Sequence, residues 1–118
     1  MRAFKNHTEE ELVRMLKKDS VEAFDELYFR YVSRLEMFSR VYIKDKSICE
    51  EVVQEVFIKL WEKKDSLDEN QSIKAFLFQM VKNRMLNIFR SKVQELSLDN
   101  AEKLDFYSSN QIEENIFF

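Results

Sequence analysis

The chain has 118 residues, enough for one domain with a modest core and too few for two independent ones. At 45% hydrophobic and 35% charged, with eleven Phe, it carries enough apolar surface to offset chain entropy, which excludes wholesale disorder. It has no Gly and no Pro, so hairpin-rich sheets would lack their usual turn residues, and the predicted fold is all-α: a compact helical bundle of about four helices.

A first short helix is marked by Thr8 followed three residues later by Glu11, a capping-box pattern, with Leu12, Val13 and Leu16 as its apolar stripe. Asp19 with Glu22 repeats the signature, and Phe24, Leu27, Tyr28, Tyr31, Leu35, Phe38 and Tyr42 then recur at helical spacing. That second helix should run for about six turns, roughly 35 Å. Ser47 with Glu50 predicts the start of a third, in which Ile48, Cys49, Val52, Val53, Val56, Phe57, Leu60 and Trp61 form adjacent pairs every four residues and bury one broad face. Residues 64–72, "KDSLDENQS", are polar apart from Leu67 and rich in side chains that compete for backbone hydrogen bonds, so they read as a loop. Ser72 can cap a fourth helix bearing Ile73, Phe76, Leu77, Met80, Val81, Met85, Leu86, Ile88 and Phe89. Beyond Lys92 the period weakens. The stretch 93–118 holds six acidic residues against Lys103 and reads as an acidic linker, so 1–92 is taken as the domain.

Charge is unevenly spread. Lys74, Lys82, Arg84, Arg90 and Lys92 stand in residues 74–92 with no acidic neighbour, so the fourth helix is locally +5 on a remainder of −8. Interleaved amides (Gln79, Asn83, Asn87) and aromatics (Phe76, Phe78, Phe89) suit a surface that holds phosphates while touching bases. The same cations also fit an ordinary solvated face. The third helix poses a second such choice: Glu50, Glu51, Gln54 and Glu55 crowd one edge of "CEEVVQEVFIKLWEK". Capping and the helix macrodipole offer a purely local account of that edge. Ile58, on the otherwise polar side, gains nothing there unless a partner covers it.

No catalytic constellation can be built around the single His7, and there is no Gly-rich phosphate loop, so neither an enzyme nor a cofactor is expected. A lone Cys49 has no partner for a disulfide or a metal site. No run approaches the ~18 apolar residues of a membrane span and the start has no apolar leader core, so a cytoplasmic protein without stable membrane insertion is expected.

In the order of its motifs, from Asp19 to Lys92, the chain resembles region 2 of an extracytoplasmic-function (ECF) sigma factor, the promoter-recognition subunit of bacterial RNA polymerase. "CEEVVQEVFIKLWEK" resembles the family succession of alanine, an acidic pair, two aliphatics, Gln-Glu, then Phe and Leu-Trp. "SIKAFLFQMVKNRMLNIFRSK" is similar to the family's aromatic-Leu, later Asn, later Asp, then Arg. The resemblance implies that Glu50, Glu51, Gln54, Glu55 and Ile58 dock on the β′ clamp helices of core RNA polymerase. It implies that the loop residues Asp68, Glu69, Asn70, Gln71 and Ser72 hold an extruded base of the non-template strand of the minus-ten promoter element. Asn70 and Gln71 would read base edges. Lys74, Lys82, Arg84, Arg90 and Lys92 would contact the DNA backbone, with Asn83 at the family's Asn and Gln79 and Asn87 beside it. Phe76 stands where Trp or Tyr is frequent, and Asn87 where Asp is frequent, which leaves the local field more positive.

The family continues into a second helical domain that reads the minus-thirty-five element, so the chain is expected to be a region 2 domain followed by a linker. An anti-sigma factor is an implied further partner. A helical protein-interaction module and a duplex DNA-binding regulator remain as other readings, the first predicting no DNA affinity and the second duplex binding without polymerase.

Overall fold

The computed structural model describes residues 2–99, side chains included as far as Ser97; the tail beyond, with most of the expected linker, lies outside the described residues. Four α-helices follow in order: α1 (Glu9–Leu16), α2 (Val21–Tyr42), α3 (Lys46–Glu62) and α4 (Ile73–Asp99), with a 3-10 turn at Lys64–Ser66. The chain divides into two compact units, Met1–Val81 and Lys82–Phe118, with the boundary inside α4.

The helix starts are set by oxygen acceptors for the orphan N–H groups of the first turn. Thr8 Oγ1 accepts from Glu11 N at 3.1 Å, as its spacing predicts. The second cap is Ser20 rather than Asp19: Ser20 Oγ accepts from Ala23 N at 3.1 Å. Asp19 instead takes the left-handed conformation, φ 66°, and turns the chain between α1 and α2 where other proteins would use Gly. The third cap is Asp45 rather than Ser47, with Oδ1 accepting from Ser47 N at 2.9 Å and Ile48 N at 3.3 Å, so α3 starts a residue earlier than Ser47. Ser72 caps α4 through Ala75 N at 3.1 Å. Past Lys92 the helix continues to Asp99.

In the first unit α2 packs on both α1 and α3. Leu12, Val13 and Leu16 of α1, Leu27, Tyr31 and Leu35 of α2, and Val52, Val53, Val56, Phe57 and Leu60 of α3 are buried, as the periodicity predicts. Phe24 sets its edge against Phe57 and Trp61, with centroids 6.1 and 5.6 Å apart, and Phe38 meets Phe78 at 5.2 Å, tying α2 to the first turns of α4. Leu67 turns into this core from the loop, and Cys49 is buried, its thiol donating to the Ile43 carbonyl at 3.3 Å with its pKa pushed up by burial. In the second unit Met85 is buried.

A charged network lies under the amino-terminal segment. Glu26 is 3% exposed, and its Oε2 accepts from Arg30 Nε at 2.6 Å. Arg2 Nε stands 3.2 Å from Glu26 Oε1 as an ion pair, without hydrogen-bond alignment. Arg30 also donates to the carbonyls of Phe4, Lys5 and His7 at 3.4, 3.2 and 2.7 Å, which fixes residues 4–7 along α2. Beside it the Tyr31 hydroxyl donates to the Glu9 carboxylate, at 2.6 and 2.8 Å from its two oxygens.

Burial, and then the Glu9 carboxylate that its proton serves, push the Tyr31 pKa from 10.0 up to about 12. The unfolded chain ionises first, so the stabilisation is fully present below pH 10 and is lost as pH rises toward 12. Tyr31→Phe should therefore be less stable than the parent chain by about 1 kcal/mol at pH 7. That gap should narrow between pH 10 and 12 in urea unfolding followed by circular dichroism. A gap that stays constant would show that the hydroxyl ionises equally in both states.

Candidate functional site

The five α3 candidates are brought onto one face. Glu51, Gln54 and Ile58 are exposed, Glu50 and Glu55 half-buried, and Cys49, Val52, Val53, Val56, Phe57 and Leu60 fill the opposite side. Positions 51, 54, 55 and 58 follow the i, i+3, i+4, i+7 rule, so they form a stripe, with Glu50 on its flank, where its Oε1 is 3.8 Å from Lys46 Nζ. Ile58 is 57% exposed within this stripe.

The corrected helix start changes the local account of these acids. With Asp45 as the cap, the first turn of α3 holds no acidic residue, and Glu50 is not the capping partner of Ser47. The macrodipole acts mainly within the first turn, so Glu51, Gln54 and Glu55 lie largely beyond it. Capping and the macrodipole thus account for little of this acidic stripe, and neither bears on the exposed Ile58 within it.

The loop candidates cluster before α4. Asp68 Oδ1 accepts from Asn70 N at 2.9 Å and its carbonyl accepts from Gln71 N at 3.0 Å, an Asx-type turn that leaves the side chains of Asp68, Asn70, Gln71 and Ser72 exposed. Glu69 is half-buried, 3.6 Å from Arg14 Nε. At the foot of the loop Val13, Leu67, Asp68, Gln71, Ser72 and Phe76 line a dimple of about 20 Å³, room for one water and too small to enclose a nucleobase.

On α4, Lys74 and Gln79 are exposed in the first unit. In the second, Asn83, Asn87, Arg90 and Lys92 are exposed, while Lys82 and Arg84 are half-buried. Sequence reasoning missed Arg14, Lys17 and Lys64, which contact the loop from α1 or from its own start. Arg14 is an exposed cation and Lys17 and Lys64 are half-buried ones, all on unremarkable turns, and folding sets the first two against residues some fifty positions away. Among the described residues no group of three or more His, Cys, Asp or Glu could hold a metal ion, and no helix is long and apolar enough to cross a membrane.

The model of the family Sigma-70 region 2 matches residues 27–94, from within α2 to the later turns of α4. No curated protein matches the chain. Among solved structures, the chain is similar to an engineered region 2 of sigmaE, determined by NMR in complex with GTAAAA. The two share 28% sequence identity and a TM-score of 0.68, over 75% of this chain and 93% of that one. The chain therefore belongs to the Sigma-70 region 2 family, and within it carries the ECF sigma factor pattern seen in its sequence.

Proposed function

We propose that this domain docks on core RNA polymerase through the acidic stripe of α3 and recognises and melts the minus-ten promoter element with α4 and the loop before it. Its function is promoter recognition in transcription initiation, and RNA polymerase and promoter DNA are its partners. The observation that carries the reading is the family match over residues 27–94, since that span contains both the α3 stripe and the basic helix.

In the proposed division of labour, Glu50, Glu51, Gln54, Glu55 and Ile58 meet the β′ clamp helices. Complementary charge orients that encounter and Ile58 adds apolar burial. Asn70 and Gln71 read base edges of an extruded non-template base, since a side-chain amide can both donate to and accept from one base. Asp68, Glu69 and Ser72 frame the turn that presents them. Lys74, Lys82, Arg84, Arg90 and Lys92 engage backbone phosphates, and Gln79, Asn83 and Asn87 contact the strand between them. Extruding a base costs a few kcal/mol of stacking, which these contacts must offset. Residues 1–92 act as the domain and 93–118 as the linker, whose first residues, as far as Asp99, continue α4. The domain performs no chemistry of its own, works in the cytoplasm, and has an anti-sigma factor as a second protein partner.

The test is fluorescence anisotropy of a labelled single-stranded oligonucleotide containing GTAAAA, titrated with the chain alone and with the chain on core polymerase. Affinity should fall with salt, and Lys74→Ala, Arg90→Ala and Lys92→Ala should each make the log–log slope shallower by about 0.7. Binding to duplex DNA without polymerase, or slopes unchanged by all three substitutions, would overturn the assignment.

A further inference from the structure

Three contacts grip one side of the loop before α4, and all come from the end of α1 or the turn that follows it. Asp19 Oδ1 is 3.1 Å from Lys64 Nζ, whose ammonium also lies 4.4 Å over the Trp61 ring. Lys17 Nζ donates to the Leu67 carbonyl oxygen at 2.6 Å. Arg14 Nε stands 3.6 Å from Glu69 Oε2. Leu67 is buried beneath these contacts, 7% exposed, so the stem of the loop is held by packing as well as by charge. Past Glu69 the character changes: Asn70 and Gln71 have their backbone N–H groups taken up by the Asp68 turn and their side chains exposed. A tethered stem thus carries a presented tip.

We propose that Arg14 of α1 and Lys17, the residue that caps its end, are positioning residues for base discrimination, holding the loop stem so that Asn70 and Gln71 meet a nucleobase in one register. The inference rests on the reading above, that this loop meets the minus-ten element. Two physical arguments support it. Amide readout of a base edge depends on placing donor and acceptor together, so a stem free to drift would weaken contact with the right base more than with a wrong one. A stem already ordered before DNA arrives also spares part of the entropy that binding would otherwise spend on it. Of the two tethers, the half-buried Lys17 contact is the stronger, being a charge-assisted bond to a carbonyl, whereas the Arg14 pair is a surface ion pair.

The test has two arms on the full chain. Without DNA, hydrogen–deuterium exchange of the loop amides should quicken in Lys17→Met, by about tenfold, while exchange in α2 and α3 stays as in the parent. With DNA, single-stranded oligonucleotides based on GTAAAA are varied one base at a time, with an abasic version at each position. At the position the loop reads, the parent prefers one base. Lys17→Met should cut that preference about tenfold and Arg14→Glu about fivefold, with affinity for the abasic strand unchanged. Pairing Arg14→Glu with Glu69→Arg should restore the preference. Equal weakening of every strand, abasic included, would overturn the inference and leave the DNA reading standing. So would unchanged preference in both single variants. If the parent chain on polymerase binds no strand, the DNA reading itself fails and the inference with it, whatever the exchange data show.

Discussion

A chain carrying Glu51→Arg and Gln54→Arg should no longer be captured by bacterial core RNA polymerase, whereas the parent chain should bind it stoichiometrically. Both residues are exposed on α3 opposite its buried face, so neither change removes a core contact. The thermal midpoint should stay within a few degrees of the parent's, as it does for surface substitutions. The effect on docking is large because the changes replace one negative and one neutral side chain by two positive ones in the centre of an acidic stripe. Like charges set against a basic partner cost several kcal/mol, so the Kd should rise at least about 100-fold. Ile58→Asp should act in the same direction through lost apolar burial, with a smaller effect on association rate than on dissociation. A folded parent chain that polymerase does not capture would sink the docking assignment. Full capture of the double variant would move the docking surface off α3.

Much of the architecture was legible because burial follows period. The aliphatic pairs of α3 and the apolar run of α2 announce which side turns inward: Cys49, Val52, Val53, Val56, Phe57 and Leu60 are buried with Leu27, Tyr31 and Leu35, whereas Phe24, Phe38, Tyr42, Ile48 and Trp61 are half-buried and Tyr28, expected inside, is exposed at the edge of the packed face. The caps were less legible. Asp19 and Ser20 are both good cap residues, as are Asp45 and Ser47, and the choice depends on which backbone takes the extended conformation, a matter of how the preceding turn closes. Asp19 was lost as a cap because the sequence has no Gly to supply the left-handed position there. The extension of α4 to Asp99 escaped a reading based on amphipathicity, yet "VQELSL" contains good helix formers, and propensity continues a helix after its apolar stripe has faded. The candidate surfaces were visible only as unexplained charge: the residues named for them are mostly exposed, and it was the family motifs that gave them roles. What no pattern could supply were contacts between distant segments, such as Lys17 with Leu67.

Glu26 is the sharpest case of that last kind, and it carries the second large prediction. By spacing it is one more acidic residue on α2, but in the fold its side chain is 2% exposed, with Arg30 on one oxygen and Arg2 facing the other. Arg30→Ala would leave this carboxylate buried without its hydrogen-bonded cation, and breaking one side of a buried pair typically costs about 3–5 kcal/mol. The same guanidinium holds the carbonyls of Phe4, Lys5 and His7, so the substitution should also release the amino-terminal segment from α2. Thermal unfolding should show a midpoint lowered by more than about 10 °C, and limited proteolysis should cleave near residues 2–7 in the variant before the parent. Replacing both partners, Glu26→Leu with Arg30→Met, removes the buried charge as well as its partner. That double variant should recover much of the loss, because apolar substitutes for a buried pair are often neutral or stabilising. The released segment should still be cleaved early in it, since methionine offers no donor to the three carbonyls. A loss below about 1 kcal/mol in Arg30→Ala would mean that water reaches Glu26 and that the pair counts as a surface one. Recovery of stability with continued early cleavage would separate the two functions of Arg30, neutralising a core carboxylate and anchoring the chain's first turn.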